Sequence, residues 1–68
     1  MNNMDEAIRQ WLVDMYTKEV DEAKGTILNE RVWELGYDGE EPNPHTENIA
    51  RLNAYIGILE DKIKEVSA

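Results

Sequence analysis

The sequence predicts an all-α fold, an antiparallel helical hairpin that dimerises into a helical bundle. Three observations carry that expectation. Ile49, Leu52, Ile56, Leu59, Ile63 and Val66 recur at spacings of three, four, three, four and three, the heptad pattern of a helix that lays one seam against another. Glycines and prolines are concentrated between Gly36 and Pro44, which marks one turn between two helical stretches. Finally, 68 residues without a cysteine and with a single histidine cannot add a disulfide or a familiar zinc set to a small core, which leaves self-association to supply the missing stability.

The first arm begins with Asn3, followed three residues later by Glu6, which resembles a capping box. Asp5 and Glu6 also suit the positive end of a helix. A helix is therefore expected from about residue 4 to 24. At 100° per residue, Met4, Ile8, Trp11, Leu12 and Met15 share one face, with Trp11 directed into the core. Tyr16, Val20, Ala23 and Ile27 lie about a quarter-turn away, and Leu28, Val32 and Leu35 rotate further. One straight helix with one partner does not produce that drift. Either the helix breaks or bends near Gly25-Thr26, where Gly weakens it and Thr can cap a new one, or it continues into 26–35 and successive faces meet different neighbours; the bend is the favoured expectation.

Leu35-Gly36-Tyr37 reads as a helix stop, with Gly36 in the left-handed conformation and Tyr37 folded back on Val32. Asp38-Gly39, Pro42 and Pro44 then make a loop over 36–43. Asn43-Pro44 restarts the helix, because proline holds Asn43 extended as an N-cap and costs nothing at the first helical position. The second helix is expected over 44–66. Tyr55 and Ile58 flank its seam, so its apolar arc is wider than one neighbour covers. Three helices packed within one chain would also cover it, but a homodimer is the favoured arrangement. The whole of 1–68 is read as one small domain.

Fifteen acids against seven bases give a net charge of −8, which opposes direct binding to nucleic acid or to anionic membranes. The excess is uneven. Residues 3–35 hold eight acids and four bases, residues 36–47 four acids and no base, and residues 48–68 three of each. Without a leader-like segment, a long apolar run or a cysteine, the expected setting is the cytoplasm. Four acids stand four residues before a base, pairing Asp5 with Arg9, Asp14 with Lys18, Glu47 with Arg51 and Glu60 with Lys64. Such pairs read as solvated helix faces.

Catalytic constellations are incomplete. Glu19 and Glu22 stand one turn apart but face no second acidic pair, and His45 lacks the Glu-x-x-His partner that a di-iron site needs. The acids of 38–47 depart from a calcium loop, since Gly39 directly follows Asp38 and prolines occupy ligand positions. The chain's one serine, Ser67, lies in the last helical turn, so Ser-His-Asp chemistry is not expected either. His45, in phase with Ile49, reads as a structural residue closing the end of the core. No cofactor or metal is expected.

What remains is a non-catalytic protein–protein interaction module, a small acidic helical protein that acts by binding another protein or by self-assembly. Trp33, Tyr37, Tyr55, Ile58 and Gly57 are the expected contact residues. Aromatics dominate binding hot spots, and a helix-interior glycine suits a close approach. Asp38, Glu40, Glu41, Glu19 and Glu22 form the expected acidic surface. An alternative is an acidic mimic of DNA, such as a mobile element or phage might encode, that blocks a nucleic-acid-binding protein. A divalent-metal-dependent helical enzyme is a distant second alternative.

Overall fold

The computed structural model describes residues 5–68. It contains two helices, α1 (Glu6–Gly36) and α2 (Pro44–Ser67), joined by the loop 37–43 and packed along one another as a hairpin about 52 Å long. Side-chain bonds from Glu30 to His45 and from Glu19 to Tyr55 set the antiparallel register.

Each helix starts at a side-chain cap. In α1 the cap is Asp5, whose carboxylate accepts the Ala7 N–H at 2.7 Å, rather than Asn3. Asn3 and Met4, the expected cap and start, lie outside the described residues. In α2 the cap is Asn43, as expected: extended at φ −72° and ψ 115°, it accepts the His45 N–H at 3.0 Å, with Pro44 opening the helix.

No break interrupts the helix near Gly25: α1 continues through 31 residues. Thr26 caps nothing. Its hydroxyl donates to the Glu22 carbonyl at 3.1 Å, a bond that satisfies it inside a continuous helix. One glycine costs a helix only about 1 kcal/mol, less than an unsatisfied helix end would. The helix stop also differs from expectation. Gly36 stays helical, no described glycine has positive φ, and Val32 remains exposed. Tyr37 turns forward instead, and its hydroxyl donates to the Glu40 carbonyl at 2.6 Å. Its ring then lies over Gly39, where an added Cβ would stand 2.6 Å from the hydroxyl oxygen. The Glu41–Pro42 bond in this loop is cis.

The seam of α2 packs as its spacing requires. Ile49, Ile56 and Leu59 are buried, and Leu52, Ile63 and Val66 are half-buried. The facing seam on α1 is Arg9, Val13, Tyr16, Val20, Ala23, Ile27, Glu30 and Glu34, each buried or half-buried. Its spacings alternate four and three, a heptad that matches its neighbour. The core proper comprises Val20, Ala23, Ile56 and Leu59, with Tyr16, Ile27, Leu52 and Ile63 packed on it. Of the drifting faces, α2 therefore selects the middle one. Trp11, expected in the core, is 63% exposed.

Gly57, expected to mark a close approach, has no atom within 4 Å of an added Cβ within this chain, and Gly25 has none either. Gly57→Ala should raise the stability of the isolated chain by about 1 kcal/mol, because the backbone is already helical and alanine has fewer unfolded conformations to lose. Urea unfolding followed by circular dichroism checks the sign; a loss of stability would mean that the position is crowded by something beyond one chain.

Candidate interaction surface

The hairpin's loop end is fastened by polar side chains that close the α1 seam. Glu30 and Glu34 sit at heptad positions where apolar residues would be expected, and both find partners across the turn. Glu30 accepts from Asn48 Nδ2 at 2.6 Å and contacts His45 Nδ1 at 2.9 Å. A carboxylate can only accept, so the His45 proton sits on Nδ1. Glu34 accepts from the Thr46 hydroxyl at 2.7 Å and from Arg31 at 3.1 Å, while its backbone carbonyl takes the Asn43 amide at 3.1 Å. The His45 bond, followed by that of Asn48, holds the Glu30 carboxyl below its ordinary value despite partial desolvation. Thr46 does the same for Glu34, with Arg31 adding to it.

Trp33 and Tyr37 enclose His45 from outside. The Trp33 ring stacks on the imidazole at 6.3 Å and 24°, and Tyr37 meets it edge-on at 6.1 Å and 72°. Both aromatics singled out in the sequence thus stand at one end of the molecule, around a histidine that is half-buried and hydrogen-bonded to Glu30 as a structural residue would be. Trp33 keeps 60% of its surface exposed. Asn43→Ala removes both the cap of α2 and the tie to the Glu34 carbonyl. It should cost about 1–2 kcal/mol, read as a lower denaturation midpoint in urea, whereas a shift within error would mean that water replaces both bonds.

The other expected contact residues lie elsewhere. Tyr55 and Ile58 are exposed on the flank of α2, and the Tyr55 hydroxyl donates to Glu19 at 3.1 Å, which raises its pKa. Asp38, Glu40 and Glu41 are exposed at the loop tip, Glu22 is exposed midway along α1, and Glu19 is half-buried beneath Tyr55. The expected acidic surface is therefore split between the tip and the middle of the hairpin. Of the four predicted acid–base pairs, Glu47–Arg51 forms at 2.7 Å. Arg9 instead meets Glu6 at 3.3 Å, and Asp14 accepts from Gln10 Nε2 at 2.9 Å. Among the described residues, no three of His, Asp or Glu converge as a cation site, and no helix is long and apolar enough to cross a membrane.

The largest feature of the surface is the part of the drifting α1 faces that α2 leaves uncovered, which answers to the alternative of different neighbours and not to the favoured bend. Ile8, Trp11 and Met15 near one end of α1, and Leu28, Val32 and Leu35 near the other, all project outward and keep between 38% and 86% of their surface. The signal was present as the drift of the apolar face. It reports which side chains α2 leaves uncovered rather than a bend. No family model, curated protein or solved structure matches the chain.

Proposed function

We propose that the chain is a non-catalytic protein–protein interaction module that presents the outward side of α1 to another protein chain. The observation that supports this reading is an imbalance of burial. Among the described residues, five hydrophobic ones are buried, one of them alanine, while nine large hydrophobic ones, counting Tyr55 and Ile58, are exposed. Single exposed apolar residues are ordinary, but here they gather in two clusters along one side of α1, Ile8 with Trp11 and Met15 and Leu28 with Val32 and Leu35, and clustered exposure supports a docking surface. Trp11 and Trp33 belong to the residue type that most often anchors such contacts.

The acidic-mimic reading has less support. Of the five carboxylates it would display, Glu19 accepts from Tyr55, and the other four are divided between the loop tip and the middle of α1 instead of forming one row. A mimic would bind a basic partner with a steep dependence on salt, whereas an apolar face binds with little. Affinity capture with the wild type and with Trp11→Glu/Leu28→Glu separates the readings. Both substitutions fall on exposed positions outside the seam, so the hairpin persists. A partner retained by the wild type at about 0.5 M salt and lost by the variant is expected; equal capture by the two proteins would overturn the reading.

A further inference from the structure

We propose that the partner on this face is a second copy of the same chain, laid antiparallel along the outside of α1 with the two-fold axis near the middle of the helix. The proposal rests on the interaction-module reading and identifies its partner. It follows from a second heptad stripe on α1, opposite the seam that packs on α2. From Ile8 the stripe steps by three and four in alternation through Trp11 and Met15 to Lys18, then through Glu22 and Gly25 to Asn29 and Val32. Every one of these positions is exposed.

The stripe complements itself when reversed. In an antiparallel pair that sets Ile8 of one copy beside Val32 of the other, Trp11 falls beside Asn29, Met15 beside Gly25 and Lys18 beside Glu22. All four layers occur twice, which is what a two-fold contact requires. Their chemistry matches layer by layer. Ile8 meets an aliphatic side chain, with Leu28 and Leu35 bordering Val32 on one flank. The Trp11 indole N–H faces an amide oxygen that can accept it. Met15 faces a glycine whose Cβ position is empty. At the centre, two Lys18–Glu22 ion pairs form between copies, so that the central layer of the stripe balances its own charge, with Glu19 and Asp21 on its rim. A parallel pairing would bring Lys18 against Lys18 and Glu22 against Glu22, and the like charges disfavour it.

The area available is of the right order. From their fractional exposures, Ile8, Trp11, Met15, Leu28, Val32 and Leu35 together offer at most roughly 700 Å² per chain. Full coverage in two copies would reach roughly 1,400 Å², against about 1,200–2,000 Å² for a specific interface. The two apolar clusters sit at opposite ends of one helix, about 30 Å apart at 1.5 Å per residue, so both are covered at once by a single copy in this orientation.

Charge exchange at the central layer tests the orientation without touching the hairpin seam. The readout is sedimentation equilibrium of the full chain at about 150 mM salt. The wild type should give twice the 7.9 kDa chain mass. Lys18→Glu alone, and Glu22→Lys alone, should each weaken the dimer about tenfold or more, because each places two like-charge contacts at the axis. Lys18→Glu/Glu22→Lys should restore the wild-type constant to within about threefold. A double variant no tighter than the singles overturns the antiparallel register. Growth beyond two chains with concentration would signify a head-to-tail contact and overturns it as well. A wild type that stays monomeric up to about 100 µM removes the second copy as partner. That result is distinct from failure of the broader reading, which is decided by whether Trp11→Glu/Leu28→Glu loses capture of a different protein. Since the chain has no cysteine, a mixture of Met15→Cys and Gly25→Cys gives an independent geometric check. Mild oxidation should link the two variants to each other and neither to itself, because only the mixed pair brings the sulfurs within disulfide range.

Discussion

Ile56→Asp should unfold the chain, whereas Ile58→Asp, the same change two residues further along the same helix, should leave it folded. Ile56 is 8% exposed and belongs to the four-residue cluster at the centre of the hairpin, while Ile58 is 55% exposed. Removing a buried isoleucine forfeits about 2–3 kcal/mol of transfer free energy, and a carboxylate left without a partner in that position adds about 1–3 kcal/mol or more. A domain of this size has a total stability of roughly 3–10 kcal/mol at typical values per residue. The loss is therefore comparable with everything the fold has, and no second core exists among the described residues to compensate. Far-UV circular dichroism at 25 °C should show most of the helical signal lost for Ile56→Asp and retained for Ile58→Asp. Equal behaviour of the two variants would mean that the seam does not hold the molecule together. If α1 pairs with a second copy as proposed, raising the protein concentration should recover part of the helix in Ile56→Asp, because association stabilises the folded form by mass action.

The contrast between those two residues also shows how far the sequence could be read. The seam from Ile49 to Val66 was legible because little besides helix packing produces an uninterrupted aliphatic heptad, and Asn43-Pro44 because the constraint of proline on its predecessor leaves little freedom. The α1 seam was obscured by its own ends. Arg9, Glu30 and Glu34 occupy seam positions that composition alone assigns to solvent, and the latter two became seam residues only because His45, Asn48 and Thr46 stand across the turn to receive them. Pairing of that kind depends on the register between two helices, which neither helix encodes by itself. The drift at Gly25 was ambiguous for a related reason. A rotating apolar face is compatible with a break or with one continuous helix that has more than one covered side; α1 continues unbroken and carries two faces, one covered by α2 and one not. Trp33 illustrates a partial success: its unusual position was visible, but its stacking on His45 required knowing how the loop 37–43 turns.

The carboxylates at the loop end should make the hairpin sensitive to acid in a way that one substitution can isolate. The Glu30 carboxyl is held below its ordinary value near 4.5, chiefly by the His45 hydrogen bond and then by Asn48. A carboxyl with a depressed folded-state pKa binds its proton more weakly in the folded than in the unfolded chain. Its contribution is therefore fully present above the unfolded pKa and is lost as pH falls through the lower, folded one. Lowering the pH of the wild type alone is ambiguous, because protonation of the fifteen acids also relieves the repulsion within a chain of charge −8 and favours the compact state. The difference between wild type and Glu30→Gln removes that shared background. The introduced amide keeps an oxygen for Asn48 but cannot offer His45 a charge-assisted bond, which is the stronger kind. The variant should melt below the wild type from pH 7 down to about pH 5, and then converge with it as Glu30 becomes protonated below 4.5. Thermal melts from pH 7 to pH 3 at fixed protein concentration provide the measurement. A deficit independent of pH would mean that Glu30 acts through packing alone. No deficit at pH 7 would mean that the contact across the turn is exchanged for water at no cost. With Glu34 similarly depressed by Thr46 and Arg31, Glu30→Gln/Glu34→Gln should enlarge the neutral-pH deficit and retain the same window. The two carboxylates bridge the ends of α1 and α2 at adjacent turns, and both release as the pH falls below the ordinary carboxyl value.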